Sequence, residues 1–163
     1  MRTLYLLRHA KSSWKDASLP DFDRPLNSRG KDAAARVGQY LLGNKIQVSL
    51  VICSPAVRTR ETIEIVLKTA KLEATVRYDD RIYEADVGRL VAVIKNIDDE
   101  ETDVLLVGHN PGMQDLLSAL TGEQREMKTA ALAKIAFETS SWQGIKAGGG
   151  RLESFVIPKD LAD

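Results

Sequence analysis

Short apolar runs alternate along this chain with longer stretches in which apolar residues return every three or four positions, the marks of buried strands and of one-faced helices. The run Thr3-Leu4-Tyr5-Leu6-Leu7 predicts a buried first strand over 3–8, and a polar loop follows from Lys11 through Trp14 to Pro25. Asn27 is a good cap for a helix whose Ala33, Val37, Tyr40 and Leu41 share one face, with Gly43-Asn44 as its stop. A second strand covers about Leu50 to Cys53, and Pro55 opens a helix with Ile63, Val66, Leu67 and Ala70 on a common face. A short strand near Ala74, Val76 and Tyr78 leads to Ile82-Tyr83-Glu84, after which Asp86 caps a helix carrying Leu90, Val91, Ile94 and Ile97 inward. A strand over 103–108 and a helix from Pro111 to about Leu120 complete the alternation. The style then changes: Ala133 to Glu138 and Leu152 to Ile157 read as strands joined across Gly148-Gly149-Gly150.

Strand and helix in turn, closed by a hairpin, predict an α/β three-layer sandwich: a mostly parallel central sheet, helices on both faces and an antiparallel C-terminal edge hairpin. At 163 residues and 44% hydrophobic, the chain fits one domain over 1–163 whose core needs no disulfide or structural metal. The triple glycine lacks both the G-x-G-x-x-G spacing and the P-loop lysine, so it reads as a turn. Lys+Arg and Asp+Glu both number 23, which leaves no general basic field to gather nucleic acid or an anionic membrane; any positive potential must be local. Cys53 is the sole cysteine, in keeping with a reducing cytosol. Arg8, His9 and Lys11 interrupt the first apolar run before it reaches signal-peptide form, and no run approaches membrane-spanning length. A cytoplasmic protein with no obligate partner is the expectation.

The chemistry concentrates at strand ends. Both histidines of the chain sit directly after strand-like runs, His9 behind Arg8 and His109 behind Gly108, and the run Val51-Ile52-Cys53 delivers Arg58 through a strand-to-helix turn. Carboxyl ends of buried strands are where open α/β sheets gather ligand-handling residues. A guanidinium fork matches tetrahedral oxyanions and keeps its charge at any working pH, so two arginines and two histidines there predict a phosphate cradle. Each histidine taken alone also reads as a satisfied core or loop residue. A metal site using His9 and His109 with Asp23 or Glu84 is opposed by the fixed charges of Arg8 and Arg58. A cysteine phosphatase is opposed by spacing, since four residues separate Cys53 from Arg58 where that chemistry uses five, and Pro55 removes a backbone donor.

Leu7-Arg8-His9-Ala10, Pro25-Leu26-Asn27-Ser28-Arg29-Gly30, Ser54-Pro55-Ala56-Val57-Arg58-Thr59 continued by Glu61-Thr62, and Gly108-His109 stand in the order found in the histidine phosphatase superfamily, which this chain resembles over nearly its whole length. The stretch Arg8-His9-Ala10-Lys11-Ser12-Ser13-Trp14 and the short chain are similar to the SixA-type phosphohistidine phosphatases. The resemblance implies that His9 is a nucleophile that becomes transiently phosphorylated, that Arg8, Arg58 and His109 hold the phosphoryl oxygens, and that Glu84 is the candidate acid for the leaving group. It implies no cofactor and no metal. Lys11 and Arg24 are candidate substrate contacts that read equally as surface charges, and Trp14 is either a lip for the substrate or a loop anchor packed on the sheet. The chain leaves no room for the lid of the larger mutases, which predicts an open pocket able to admit a phosphohistidine on a protein partner. The alternatives are a phosphomonoesterase for a small ester, a mutase, and a phosphoprotein-binding module without turnover.

Overall fold

The computed structural model describes residues 1–161; the last two residues of the expected 1–163 domain lie outside them. The elements are β1 (Arg2–Arg8), α1 (Ser28–Gly43), β2 (Leu50–Cys53), α2 (Val57–Ala70), β3 (Thr75–Tyr78), α3 (Val87–Lys95), β4 (Asp103–Gly108), α4 (Gly112–Thr121), β5 (Leu132–Phe137) and β6 (Gly150–Val156). One sheet runs in the order β3-β2-β4-β1-β5-β6. β1, β2, β3 and β4 pair in parallel, while β5 is antiparallel to both β1 and β6. This is the expected α/β sandwich.

Alternation along the central strands divides the core. Leu4, Leu6, Ile52, Val104 and Leu106 pack with residues of α3 and α4 on one face. Tyr5, Leu7, Val51, Leu105 and Val107 pack with residues of α1 and α2 on the other. Because both faces are covered, β1 reads apolar throughout instead of alternating. Local sequence sets the helix starts: the Asn27 side chain accepts from Gly30 N–H at 2.8 Å and that of Asp86 from Arg89 N–H at 2.9 Å. Gly30 also permits a close approach, since a Cβ there would lie 2.1 Å from the Lys11 carbonyl oxygen, so the first turn of α1 presses on the chain leaving β1.

Two boundaries differ from the sequence reading. Helix α2 begins at Val57 and not at Pro55, because Ser54 to Ala56 stays outside the helix while the Thr59 hydroxyl bonds the Ser54 and Ala56 carbonyls. The antiparallel strands are not joined by a glycine turn alone. Residues 138–149 separate them and carry a short 3-10 helix, Trp142–Gly144. Trp142 is fully buried there, its indole N–H on the Glu101 carbonyl at 2.6 Å. Gly150 belongs to β6 itself.

Adjacent strands β1 and β4 send their connections to opposite faces, β1 into α1 and β4 into α4. That divergence is a topological switch point, where the carboxyl ends of an open sheet leave a crevice. His9 and His109 are the first residues past the two strands.

Candidate active site

His9 is pinned from three sides. Its N–H donates to the Gly108 carbonyl at 3.1 Å, its carbonyl accepts from Ala130 N–H at 2.9 Å, and Ala10 N–H donates to the Thr62 hydroxyl at 3.0 Å. On the ring, Nδ1 lies 2.7 Å from the Ala10 carbonyl. A carbonyl only accepts, so Nδ1 carries the proton and Nε2 keeps its lone pair. Burial lowers the His9 pKa to about 4, helped by the charges of Arg58 and Arg8 and opposed by the Ala10 bond. At neutral pH the ring is uncharged, with the lone pair of Nε2 free.

The His109 ring centroid lies 5.3 Å from that of His9. His109 Nε2 is 2.7 Å from the Ser54 hydroxyl, which also accepts from Ala56 N–H at 3.4 Å. Ser54 is buried, and Nε2 is the one acceptor its hydroxyl proton has among the described residues; with Nε2 accepting, the one proton of the neutral ring sits on Nδ1 as a donor. Burial, then the proximity of His9 and Arg58, lowers the His109 pKa to about 3.

The arginines are held by their outer nitrogens. Arg8 Nη1 donates to the Met127 carbonyl at 3.1 Å, which also accepts from Asn110 Nδ2 at 2.8 Å. Arg58, only 6% exposed, gives Nη1 to the Asp21 carbonyl at 2.7 Å and Nη2 to the Asp21 carboxylate at 3.0 Å. Tyr83 Oη donates to the same carboxylate oxygen at 2.7 Å. The Tyr83 bond first, and then Arg58 and Arg24, bring the Asp21 pKa down to about 2. Among the described residues, the buried side-chain polar atoms without a hydrogen-bond partner are Arg2 Nε, Arg8 Nε, Arg58 Nε and His109 Nδ1. Three of these four belong to the predicted cradle, and a tetrahedral oxyanion set among them would satisfy all three donors.

A cavity of about 780 Å³ opens beside the cradle, lined in part by Arg58, Tyr83, His109, Asn110, Asp21 and Glu84. Glu84 is exposed on its wall and left-handed in backbone (φ 56°), an uncommon geometry for a residue with a Cβ that turns the chain toward α3. Lys11 does not line this cavity; it lies in a separate groove with Arg29, Lys128 and Lys159. Arg24 is buried in the loop after β1, bonded to Asp21 and to the Ser12 hydroxyl at 2.6 Å. Trp14 is 75% exposed with the Arg24 guanidinium 3.6 Å above its ring, so it anchors the loop on Arg24 and not on the sheet. No group of three His, Cys, Asp or Glu side chains among the described residues is arranged to hold a metal ion. Cys53 is fully buried, its thiol raised to about 12 by burial, and it remains protonated.

Asp21, Tyr83 and Asn110, and the positioning roles of Ser54 and Thr62, escaped the sequence reading. Asp21-Phe22-Asp23 offers two equivalent carboxylates, and no periodicity marks the one that meets Arg58 across 37 positions. Thr59 and Thr62 carried a signal in retrospect: hydroxyls on the inner face of a helix need partners, and theirs are the Ser54 carbonyl in the loop for Thr59, and for Thr62 the Arg58 carbonyl of its own helix and the Ala10 N–H.

Comparison with known proteins agrees with this geometry. The family model described as histidine phosphatase superfamily (branch 1) matches residues 4–92. A protein of Mycobacterium leprae is 34% identical over 165 residues, covering 94% of this chain and 100% of its own length. Phosphohistidine phosphatase SixA of Escherichia coli is 28% identical over 149 residues, covering 86% of this chain and 91% of the relative. Among solved structures, the protein histidine phosphatase SixA complexed with tungstate superposes with a TM-score of 0.83 at 25% identity, covering 97% of this chain and 98% of that one.

Proposed function

This chain belongs to the histidine phosphatase superfamily, and on that footing we propose that it removes the phosphoryl group from phosphohistidine in a protein, through a phosphohistidine of its own and without a metal ion. His9 Nε2 attacks phosphorus as the substrate P–N bond breaks, and the departing imidazole leaves with its proton. Water then attacks the phosphoryl group on His9, releasing inorganic phosphate and returning the lone pair to Nε2. Arg8 Nε, Arg58 Nε and His109 Nδ1 supply the donors for the phosphoryl oxygens, where charge is carried during transfer.

The state of Asp21 carries the choice of substrate. It lines the cavity, and Arg58 and Tyr83 both donate to its carboxylate, which holds it ionised and makes it a poor acid for a leaving alkoxide. An alkoxide is a strong base that needs an acid as its bond to phosphorus breaks; the imidazole of phosphohistidine can carry its own proton beforehand. A fixed carboxylate beside the leaving group stabilises that imidazolium and suits it better than an ester. Similarity to SixA, whose name states phosphohistidine as its substrate, supports the same reading. A single cysteine, Cys53, suits a reducing compartment such as the cytosol.

One observation favours a small phosphate ester instead: Glu84 stands on the cavity wall with Arg58 and His109 and could serve as the acid. The test is turnover of phosphohistidine, an alkyl phosphate and an activated aryl phosphate by the wild type and Glu84→Gln, with and without a chelator. The expected result is preference for phosphohistidine, no effect of the chelator, and a loss of about two to four orders of magnitude confined to the alkyl phosphate in Glu84→Gln. Preference for the alkyl phosphate would transfer the assignment to an esterase. Oxyanion binding with no turnover of any substrate would make this a binding module, and loss of activity in the chelator restored by a divalent ion would end the metal-free mechanism.

A further inference from the structure

The cradle is flanked by two walls of opposite charge. On the β4 side the cavity wall carries Asp21, Glu84, Asp86 and Asp115. On the β5 side a groove of about 210 Å³ carries Lys11, Arg29, Lys128 and Lys159 over an apolar floor of Ala33, Ile157 and Pro158, with no carboxylate in its lining. All four cations are exposed, and none forms an ion pair with a described residue. Since positive and negative charges balance over the whole chain, this concentration is a local feature and not part of a general basic field.

We propose that the groove formed by Lys11, Arg29, Lys128 and Lys159 docks an acidic segment of the phosphorylated protein, adjoining the residue whose phosphoryl group enters the cradle. This rests on the phosphoprotein reading above and names the surface that reading requires. The groove is continuous with the site through the chain itself. Lys11 follows His9 by two residues, a span of about 7 Å at most. Lys128 follows Met127, whose carbonyl fixes Arg8. An extended substrate with its phosphorylated residue at His9 therefore brings acidic side chains two to four residues away over the groove, at about 3.3 Å per residue. The acidic wall opposite repels the same segment, so the pair of walls sets the direction in which the substrate lies. Exposed charges of this kind act on encounter and orientation, and their effect falls as salt rises.

Fluorescence anisotropy with two labelled peptides of equal length tests this, one with a run of glutamates beside a histidine and one with serines in their place. The wild type should bind the acidic peptide about tenfold more tightly at low salt and lose that preference as salt is raised. Arg29→Glu/Lys159→Glu should abolish the preference. Lys95→Glu/Lys146→Glu, of the same net charge but away from the groove, should retain it, and both should hydrolyse p-nitrophenyl phosphate at the wild-type rate. Arg29→Gln/Lys159→Gln repeats the measurement should the reversed pair fold poorly. Equal affinity for the two peptides, or a preference untouched by the groove substitutions, overturns the proposal. Because these peptides carry no phosphoryl group, the outcome is independent of turnover on free phosphohistidine, whose failure would count against the proposed reaction alone.

Discussion

The parallel and antiparallel parts of the sheet meet at β1 and supply the site with different things. From the parallel part come the side chains: Arg8 and His9 from the end of β1, Ser54 and then Arg58 after β2, His109 after β4. From the antiparallel part comes backbone. The Met127 carbonyl fixes Arg8, Ala130 N–H bonds the Arg8 and His9 carbonyls, and the Ala131 carbonyl accepts from Arg8 N–H at 3.1 Å. Parallel strands all end at the same edge, so their exits converge; a hairpin presents one start and one end there and is free to act as a frame. Chemistry and its alignment are thus separable, and substitutions in the two parts should fail differently.

The largest effect belongs to the convergent exits. His9→Ala should lower turnover by about four orders of magnitude or more and remove the acid-labile, base-stable phosphoenzyme trapped by rapid quench with labelled substrate, while vanadate still binds through the arginines. Substantial residual turnover, or a phosphocysteine at Cys53, would break the assignment. Arg58→Ala should cost about two to three orders of magnitude in kcat/KM, with binding and chemistry weakened together because the contact acts in both ground and transition states.

Acid sharpens the contrast next. Burial holds His9 near pKa 4 and His109 near 3, both below the free value of about 6.5, so the unfolded chain binds more protons once pH falls under that value. Their contribution to stability is complete above about pH 6.5 and is lost as pH falls toward the folded values, at about 1.4 kcal/mol per pH unit for each histidine. Urea midpoints from pH 7.5 to 4.5 should show the decline, and its slope should flatten in His9→Ala. In kcat/KM, the acid limb of the free enzyme should lie below pH 5; a limb centred near 6.5 would mean that the rings are solvated.

The smallest effect is expected in the frame. A Cβ at Gly150 would stand 2.6 Å from Ile135 Cγ2 and 3.1 Å from the Leu120 carbonyl oxygen. Gly150→Ala should therefore cost about 1–3 kcal/mol of stability and leave kcat within about twofold. A large fall in kcat at unchanged folding would show that the frame takes part in the chemistry after all.

Most of the fold and the four central side chains were legible because their signals are local. Apolar runs and three-to-four-residue spacing revealed β1, β2, β4 and the helices, and Asn27 and Asp86 announced their own caps. Arg8, His9 and His109 lie at or just past strand ends and Arg58 in the first turn of the helix after β2, so locating the strands located them. Elsewhere legibility failed for a common reason. Lys11 and Arg24 sit in a loop without periodicity, and chain position near His9 does not say whether a side chain turns toward the phosphoryl site. Lys11 turns to the basic groove, and Arg24 is spent on Asp21, Ser12 and Trp14.

The amino-acid sequence by itself determined the alternation of elements, the burial of β1 on both faces, and the delivery of Arg8, His9 and His109 to strand ends and of Arg58 to the helix start after β2, since each depends on side chains a few positions apart. Tertiary structure alone decided that Asp21 meets Arg58 and Tyr83 across 37 and 62 positions, that Ser54 orients His109 across 55, and that Lys11 joins Lys128 and Lys159. Those contacts arise where loops close over the switch point, and a partner there is chosen by shape and charge after the sheet has formed, with no repeating pattern along the chain to announce it.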